Sequence, residues 1–289
     1  MRELYLGPYR LLNLLASGQT THVWEAVNDV TRLRVALKRL KAEKPKREEI
    51  GLLRHEYAVA KSFDHPRVVK ALEIGVSRGG ETYLVLELFA APNMKWWINQ
   101  GVDRIAYRAP QIIDQCAEGM LYLAEKGWIH RDVKPDNFLI SKGGEAKIID
   151  FALAQKRKTG LAALFGGGRK IQGTPSYMAP EQIRGKALSL KADIYSFGCT
   201  LYELTSGKKP YTGTRPQELL SKHLSSQVPS LEAANRNITP EFSALVRSML
   251  AKDPRQRPDI EQFRRELNAM EVFKIRPKPP ADAAGSNVA

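Results

Sequence analysis

The sequence contains little cysteine and no long apolar run. Its two cysteines, Cys116 and Cys199, are far apart and have no partner at metal-ligand spacing, so two reduced thiols are predicted instead of a disulfide framework. No run of about 18 apolar residues is present, and the first residues lack the apolar core of a signal peptide. These absences predict a cytoplasmic protein without a transmembrane segment.

Acidic residues are fewer than basic ones. With 45 Lys and Arg against 31 Asp and Glu, the net charge is +14. Such an excess is common in proteins that bind nucleic acid, anionic membranes or acidic partners. The basic residues are scattered and are not interleaved with aromatic residues, so nucleic-acid binding is not expected. The hydrophobic fraction of 43% is that of an ordinary globular protein.

The first ninety residues are predicted to form a small β-rich region with one helix. The helix is predicted over 48–61, where Ile50, Leu53, Tyr57 and Ala60 fall on one face. Runs of β-branched and apolar residues predict five strands, over 9–15, 23–27, 34–40, 69–76 and 82–88.

After a boundary at 90–93 the pattern becomes mainly helical. The residues before the first strand, 1–8, are predicted to be an extension, and the Pro- and Ala-rich end, 271–289, to be disordered. A sheet-rich lobe followed by a larger helical lobe predicts a ligand-binding cleft between them. The main helices are predicted over 109–126, 192–205, 216–224, 240–250 and 258–270.

The most informative stretch is 130–137, with the sequence HRDVKPDN. Asp132, Lys134 and Asn137 lie in a loop that follows the predicted helix 109–126. Phosphoryl transfer needs a carboxylate that orients and deprotonates a hydroxyl, a cation on the migrating phosphate and an oxygen ligand for Mg²⁺. A short loop can present all three groups to one point. The stretch therefore predicts a phosphoryl-transfer site, and the number of matching positions disfavours the alternative of an ordinary polar turn.

Three further motifs, at 35–38 (VALK), 150–152 (DFA) and 179–181 (APE), follow in the order of a known family. The sequence resembles the eukaryotic-type (Hanks-type) Ser/Thr protein kinases over about 9–270. The resemblance implies an α+β, two-lobed kinase fold, with a small antiparallel-sheet N-lobe that has one main helix and a larger helical C-lobe. The parts would be an N-lobe at 9–88, a hinge at 87–93 and a C-lobe at 94–270.

The resemblance also implies roles for individual residues. Asp132 would be the catalytic base, and Lys134 would contact the γ-phosphate, as in the Ser/Thr class. Lys38 would hold the α- and β-phosphates with Glu56 as its partner, because positioning and charge dominate this chemistry. The other implied roles belong to Thr174, which would bond Asp132 and Lys134, and to Asn137 and Asp150, which would bind the metal.

The implied cofactors are ATP and Mg²⁺, with Mn²⁺ as an alternative ion. Glu87 and Phe89 would bond the adenine through their backbones, and Leu86 would line the rear of its pocket. The resemblance also implies two structural contacts. Glu181 would pair with Arg257, and Asp193 would hold the backbone of the catalytic loop, 130–137. The remaining residues expected around the nucleotide are Leu15, Gly18, Val23, Ala36, Lys38 and Leu139.

Two motifs depart from the family pattern. The family's phosphate loop is G-x-G-x-x-G-x-V, whereas residues 16–23 here are ASGQTTHV, so that only Gly18 remains. Side chains at Ala16 and Thr21 are expected to crowd a loop that approaches phosphates through its backbone. Ala152 replaces the glycine of the metal motif and is expected to bias the local conformation. These departures leave a pseudokinase, a binding or scaffolding module, as the alternative to an active kinase.

The segment 151–180 contains several basic residues and no acidic ones. Arg131 would pair with a phosphorylated residue of this segment, and only Thr159, Thr174, Ser176 and Tyr177 offer hydroxyls there. Thr174 already has another role, and Thr159 lies early in the segment. We therefore expect activation without the usual phospho-threonine switch. The expected partners are a protein substrate and an acidic partner for the basic segment. The stretch 173–182 resembles bacterial members of the family.

Overall fold

The structure, a computed structural model, describes residues 4–157 and 172–280. The chain divides into two compact units. The first comprises Met1–Ala90 and Ile149–Leu153, and the second comprises Ala91–Ile148 and Ala154–Ala289. The sequence indicated the boundary near residue 90 but not the return of Ile149–Leu153 to the first unit. In that return segment, the Phe151 ring packs edge-to-face on Phe63 with the centroids 5.2 Å apart.

A curved antiparallel sheet of six strands forms most of the first unit. Its strands are β1 Tyr5–Leu6, β2 Tyr9–Ser17, β3 Thr21–Asn28, β4 Arg34–Leu40, β5 Ala71–Val76 and β6 Thr82–Glu87. Their order across the sheet is β1-β2-β3-β4-β6-β5, which places β4 between β3 and β6. Strand β4 has a neighbouring strand on each edge, and four consecutive residues from Val35 to Lys38 are buried.

The sheet begins earlier than the sequence predicted. Residues 1–8 were interpreted as an extension, but β1 pairs with β2 and aligns Leu6 with Tyr9. Leu6 is 1% exposed and belongs to the same apolar cluster as Leu11, Val35 and Val85. The short strand was missed because two residues carry too little periodicity to be recognised in isolation.

Helix α1, Arg47–Ala60, packs against β5 and β6 within the first unit. At its start the Glu49 carboxylate accepts a hydrogen bond of 2.8 Å from the backbone N–H of Lys46. The buried residues are Leu53, Glu56, Val59 and Ala60, whereas Ile50 and Tyr57 are only partly buried. The helix was predicted correctly, and Leu53 and Ala60 of its predicted inner face are buried. The rest of that face differs, and one inward position carries a carboxylate.

The second unit is mainly helical. Its helices are α2 Met94–Asn99, α3 Asp103–Ala106, α4 Ala109–Glu125, α5 Pro180–Ile183, α6 Leu190–Ser206, α7 Pro216–Ser225, α8 Leu231–Ala234, α9 Pro240–Met249 and α10 Ile260–Asn268. Two small antiparallel pairs complete it, β7 Trp128–Ile129 with β10 Gln155–Lys156 and β8 Phe138–Ile140 with β9 Ala146–Ile148.

Helix α6 forms the centre of this unit, with every residue from Ala192 to Thr205 buried. The Ser189 side chain accepts a hydrogen bond at its N-terminus, and Gly207, at φ +72°, ends it in the left-handed conformation that glycine tolerates. The two cysteines are buried free thiols, one in α4 and one in α6, as predicted. Over the described part of the chain, no helix is long and apolar enough to cross a membrane.

The packed chain extends beyond Met270. We predicted disorder from residue 271, but Val272 is 2% and Phe273 is 7% exposed. The Thr239 hydroxyl donates to the backbone carbonyl of Glu271 at 2.6 Å, and Phe273 forms a bridge with Ile238. A second difference concerns helix α10, which begins at Ile260, two residues after the predicted start. Residues 281–289 lie outside the described part.

Candidate functional site

The first unit brings together three of the predicted site residues. The Lys38 ammonium on β4 lies 2.7 Å from Glu56 Oε2 and 3.4 Å from Asp150 Oδ1. Lys38 and Glu56 are 8% and 2% exposed, whereas the side chain of Asp150 is 38% exposed. Glu56 therefore fixes the direction of the ammonium, and Asp150 lies on its more open side.

Burial and charge act in opposite directions on this ion pair. Burial alone lowers the pKa of Lys38, but the carboxylates of Asp150 and Glu56 outweigh it and hold that pKa above its ordinary value. Burial raises the pKa of Glu56 to about 7, against the attraction of Lys38. Each partner therefore favours the charged form of the other, and burial opposes both.

In the second unit, the carboxylate of Asp132 is hydrogen-bonded at both oxygens. Its Oδ1 accepts from the Thr174 hydroxyl at 2.8 Å and from the Thr174 N–H at 3.0 Å. Its Oδ2 lies 2.6 Å from the Lys134 ammonium, which also donates to the Thr174 hydroxyl at 2.7 Å. The Asn137 side-chain N–H donates to the Asp132 carbonyl at 2.8 Å. Four residues predicted from the sequence thus form one hydrogen-bonded cluster.

A buried carboxylate beneath this loop fixes its backbone. Asp193 accepts the N–H of His130 at 2.6 Å and the N–H of Arg131 at 2.9 Å. Arg131 has φ +69°, a left-handed conformation that costs a non-glycine residue about 1 kcal/mol and turns both N–H groups toward Asp193. Burial raises the pKa of Asp193, while His130 and the two backbone bonds act against that rise.

The segment that delivers Thr174 depends on a residue that the sequence interpretation missed. The Gln182 side chain on α5 donates to the carbonyls of Gln172 at 2.7 Å and Arg131 at 3.0 Å, and so joins this segment to the catalytic loop. Gly173 has φ +122°, and a Cβ there would lie 2.7 Å from Gln182 Nε2. The position of Gln182 directly after the APE motif was the only signal that could have suggested it.

A buried ion pair between Arg257 and Glu181 supports the segment that contains Thr174. The two terminal guanidinium nitrogens of Arg257 donate to Glu181, at 2.7 and 2.9 Å, in the paired geometry that matches a carboxylate. The Arg257 side chain is fully buried and also donates to the carbonyls of Ala251 and Lys191. The structure thus brings together the two residues that the resemblance paired.

Most residues expected around adenine lie on the sheet of the first unit, whereas Phe89 follows the end of β6 and Leu139 lies in the second unit. Ala36 aligns with Leu86 across β4 and β6. Glu87 and Phe89 are partly buried, and the Glu87 carboxylate accepts the N–H of Lys70 at 2.9 Å. Leu15 is 46% exposed. In the second unit, Leu139 forms a bridge with Asn93, whose side chain caps α2 by accepting the N–H of Trp96 at 2.8 Å.

The hairpin between β2 and β3 replaces the family's glycine-rich loop. Ser17 aligns with His22, and the N–H of Gly18 donates to the Thr21 carbonyl at 2.9 Å. Ala16 aligns with Val23 within the ladder. The hairpin therefore closes as a regular antiparallel turn despite the missing glycines.

The metal motif keeps an unusual backbone at one position. Asp150 has φ +67°, and its Oδ1 accepts the N–H of Ala152 at 3.3 Å. Ala152 is not among the non-glycine residues with positive φ, so its methyl group is compatible with the conformation described here. Most of the basic segment, 158–171, lies outside the described residues, and with it Thr159.

A small antiparallel sheet with one main helix carries a buried lysine–glutamate pair, and the larger helical unit that follows carries an Asp–Lys–Thr cluster. Together these features define a protein kinase. A family model described as "Protein kinase domain" matches residues 9–267. The chain belongs to this family, and the predicted fold class is confirmed.

Bacterial serine/threonine-protein kinases are among the curated proteins similar to this chain. The chain is 33% identical over 257 residues to PknA of Mycobacterium tuberculosis, which covers 87% of this chain and 58% of PknA. It is 30% identical to PknB of Mycolicibacterium smegmatis, covering 96% of this chain and 48% of PknB, and 29% identical to PrkC of Bacillus subtilis, covering 86% and 38%. The chain therefore spans about half the length of the curated relatives it matches.

Proposed function

We propose that this domain is an active Ser/Thr protein kinase that transfers the γ-phosphoryl group of ATP to hydroxyl groups of a protein substrate. The observation that carries the proposal is the Asp132 cluster, in which Lys134 and Thr174 fix both carboxylate oxygens. The names of the relatives, all serine/threonine-protein kinases, support the same reaction.

Asp132 is assigned the role of the base. A substrate hydroxyl attacks the γ-phosphorus, its proton passes to Asp132, and ADP leaves as the β–γ bridging bond breaks. The Thr174 hydroxyl donates to Oδ1 and accepts from Lys134, so it keeps the lysine beside the carboxylate. Lys134 is thereby held where an ammonium can also attract the migrating phosphoryl group.

Lys38 is assigned the α- and β-phosphates of ATP. Its ammonium is desolvated and held by Glu56, which fixes the direction of the charge before the nucleotide arrives. The adenine is assigned to the sheet positions Val23, Ala36 and Leu86 with Leu139, and the backbones of Glu87 and Phe89 are assigned its polar edge. Leu15 and Gly18 would lie over the nucleotide from the β2–β3 hairpin.

Asp150 and Asn137 are proposed to hold Mg²⁺, with Mn²⁺ as an alternative. Both offer oxygen donors, which hard divalent cations prefer. The fit of Asn137 rests on its amide orientation, because the side-chain N–H donates to Asp132 and leaves the amide oxygen as an acceptor. The fit of Asp150 rests on the 38% exposure of its side chain. When bound, the ion neutralises charge that develops on the phosphates.

The alternative of a pseudokinase finds no support among these relatives, which are named as kinases. Binding of an acidic partner to the basic segment is likewise unsupported, since most of that segment lies outside the described residues. Activation without a phospho-threonine switch and a cytoplasmic location both remain predictions of the sequence.

The test is an in vitro assay with Mg·ATP and a generic protein substrate, followed by mapping of the phosphorylated residues. Wild-type protein is expected to label Ser and Thr, and Asp132→Asn is expected to reduce the rate by about 10³-fold. Equal labelling by both proteins, or labelling confined to tyrosine, would contradict the proposal. Circular dichroism of the variant controls for loss of the fold.

A further inference from the structure

A carboxylate is buried beside the segment that follows Thr174. Glu203 on α6 is 2% exposed, and the Tyr177 hydroxyl donates to its Oε2. Burial and the Glu203 carboxylate raise the pKa of Tyr177, which keeps the hydroxyl protonated as a donor. The N–H of Tyr177 donates to the Thr174 carbonyl at 2.9 Å, so this carboxylate is linked to the residue that bonds Asp132.

The other oxygen of Glu203 is occupied by a lysine that enters from the surface. The Lys95 ammonium, in the first turn of α2, pairs with Oε1. The Lys95 side chain is 26% exposed, whereas that of Glu203 is 3% exposed. The lysine side chain itself therefore fills a route from solvent to the buried carboxylate. Both oxygens of Glu203 are satisfied, as a buried charge requires.

A peptide that offers a hydroxyl to Asp132 extends to both sides of that hydroxyl at about 3.3 Å per residue. A substrate residue only a few positions from the phosphorylated one would come close to the surface around Tyr177. If Lys95 were absent, a lysine or arginine of the substrate could follow the same route and pair with Glu203. With Lys95 in place, its side chain occupies that route, and each oxygen of the carboxylate already has a partner.

We propose that Lys95 is a specificity-determining residue that closes a subsite for a basic substrate side chain, so that this kinase does not select Lys or Arg through Glu203. The inference rests on the proposed kinase function. It assigns Lys95 the position that a substrate cation would otherwise take, and it assigns Tyr177 to holding Glu203 in place.

Two other charges lie near Tyr177 and are needed as controls. Asp136 is close enough to contribute to the raised pKa of Tyr177, so it could attract a basic substrate residue independently of Glu203. Lys209 donates to the Ser176 hydroxyl at 3.1 Å and stands 5.7 Å from the centre of the Tyr177 ring. Neither residue contacts Glu203 directly, so Asp136→Asn and Lys209→Ala change the local charge without opening the route that Lys95 fills.

The test is a positional-scanning peptide library built around a central Ser, phosphorylated by wild type and variants. Wild type should show no preference for Lys or Arg that depends on Glu203. Lys95→Met should gain a preference of about tenfold for Arg at one position, because a partly desolvated ion pair forms. Lys95→Arg should retain the wild-type profile, and Lys95→Met with Glu203→Gln should lose the gain. Asp136→Asn in the Lys95→Met background should keep it.

Three results would contradict the proposed role of Lys95. An unchanged profile in folded Lys95→Met would overturn the proposal, as would a wild-type preference for a basic residue that disappears in Glu203→Gln. If thermal melting shows that Lys95→Met does not fold, the comparison of wild type with Glu203→Gln still tests the proposal. Failure of wild type to phosphorylate any peptide above the Asp132→Asn background would instead contradict the kinase function, and this inference with it.

Discussion

The catalytic loop and the β2–β3 hairpin are held by different means. Side chains from several elements fix the loop: Asp193 bonds its backbone, and Thr174 and Lys134 bond Asp132. The described closure of the hairpin is a backbone ladder and one bond between Gly18 and Thr21. Leu14 and Leu15 on the hairpin are nearly half exposed. The chemistry therefore depends on side-chain identity at the loop much more than at the hairpin.

This difference explains why the two regions can diverge independently. A base, a cation and an oxygen ligand require particular side chains, and each loses its function when replaced. A hairpin that covers phosphates works through backbone N–H groups, which every residue except proline supplies. Changes around the catalytic loop should accordingly have large effects, and changes at Ala16 or Thr21 small ones.

The largest effect on the free energy of unfolding is expected from the ion pair between Arg257 and Glu181. Arg257→Ala would leave the Glu181 carboxylate buried without its partner, which costs about 3–5 kcal/mol of unfolding free energy. Chemical denaturation followed by circular dichroism measures the change. Arg255→Ala is the matched control, because the Arg255 side chain is 89% exposed and should leave the unfolding midpoint nearly unchanged. Equal stability of the two variants would contradict this account.

Acid should lower the free energy of unfolding through His223 on α7, a helix that packs against the residues after Thr174. Burial and the nearby Lys252 lower the pKa of His223 on α7 to about 4. Because the unfolded chain takes up this proton near pH 6.5, the contribution of His223 to stability is complete above that pH and is lost as the pH falls toward 4. The loss reaches about 3 kcal/mol at 1.4 kcal/mol per pH unit.

Denaturation curves at pH 7 and pH 5 test this expectation when wild type is compared with His223→Gln. The variant should lose less stability on acidification, because the glutamine takes up no proton. The Tyr195 hydroxyl, 2.9 Å from His223 Nδ1, can still bond the amide. An identical acid dependence in both proteins would show that His223 does not sense pH.

The Thr174 hydroxyl should affect turnover more than stability. Thr174→Val keeps the shape but removes the group that joins Asp132 to Lys134, and misplacement of either should lower kcat by about 10–100-fold. Thr174→Ser, which keeps the hydroxyl, should retain most of the activity. Steady-state kinetics separates the two variants, and a valine variant with full kcat would remove Thr174 from the positioning of the base.

The smallest effect is expected at the hairpin. Restoring glycine with Ala16→Gly and Thr21→Gly costs roughly 0.5–1 kcal/mol of backbone order per position. The change should alter the KM for ATP by less than about fivefold and leave kcat almost unaffected. A large rise of kcat in the double variant would show that the hairpin limits the chemical step, and the contrast with the catalytic loop would fail.

Local patterns predicted much of the fold. Strand β4 and the start of α4 lie where a run of β-branched and apolar residues and helical periodicity placed them. The Lys38–Glu56 contact could be anticipated only through the family resemblance, since it joins residues 18 positions apart and needs a carboxylate on an inward helix face. Periodicity cannot indicate such a residue, because it counts Glu56 as a solvent-facing position.

Contacts between distant residues outside the family's motifs could not be predicted. Lys95 and Glu203 are 108 residues apart, and neither belongs to a motif that would pair them. The packing of Val272 and Phe273 depends on the loop at 235–239, which a Pro-rich tail does not reveal. Gln182 bonds two backbone carbonyls, and any backbone carbonyl can accept such a bond whatever its sequence.

The most direct measurement is the rate of phosphate transfer across a range of Mg·ATP concentrations, with Asp132→Asn as the background. A complete catalytic loop together with a glycine-poor hairpin predicts a saturable, Asp132-dependent rate whose kcat lies in the ordinary kinase range of about 1–100 per second. Any effect of the missing glycines should appear in the KM for ATP. Absence of Asp132-dependent transfer from folded protein at saturating Mg·ATP would contradict the account.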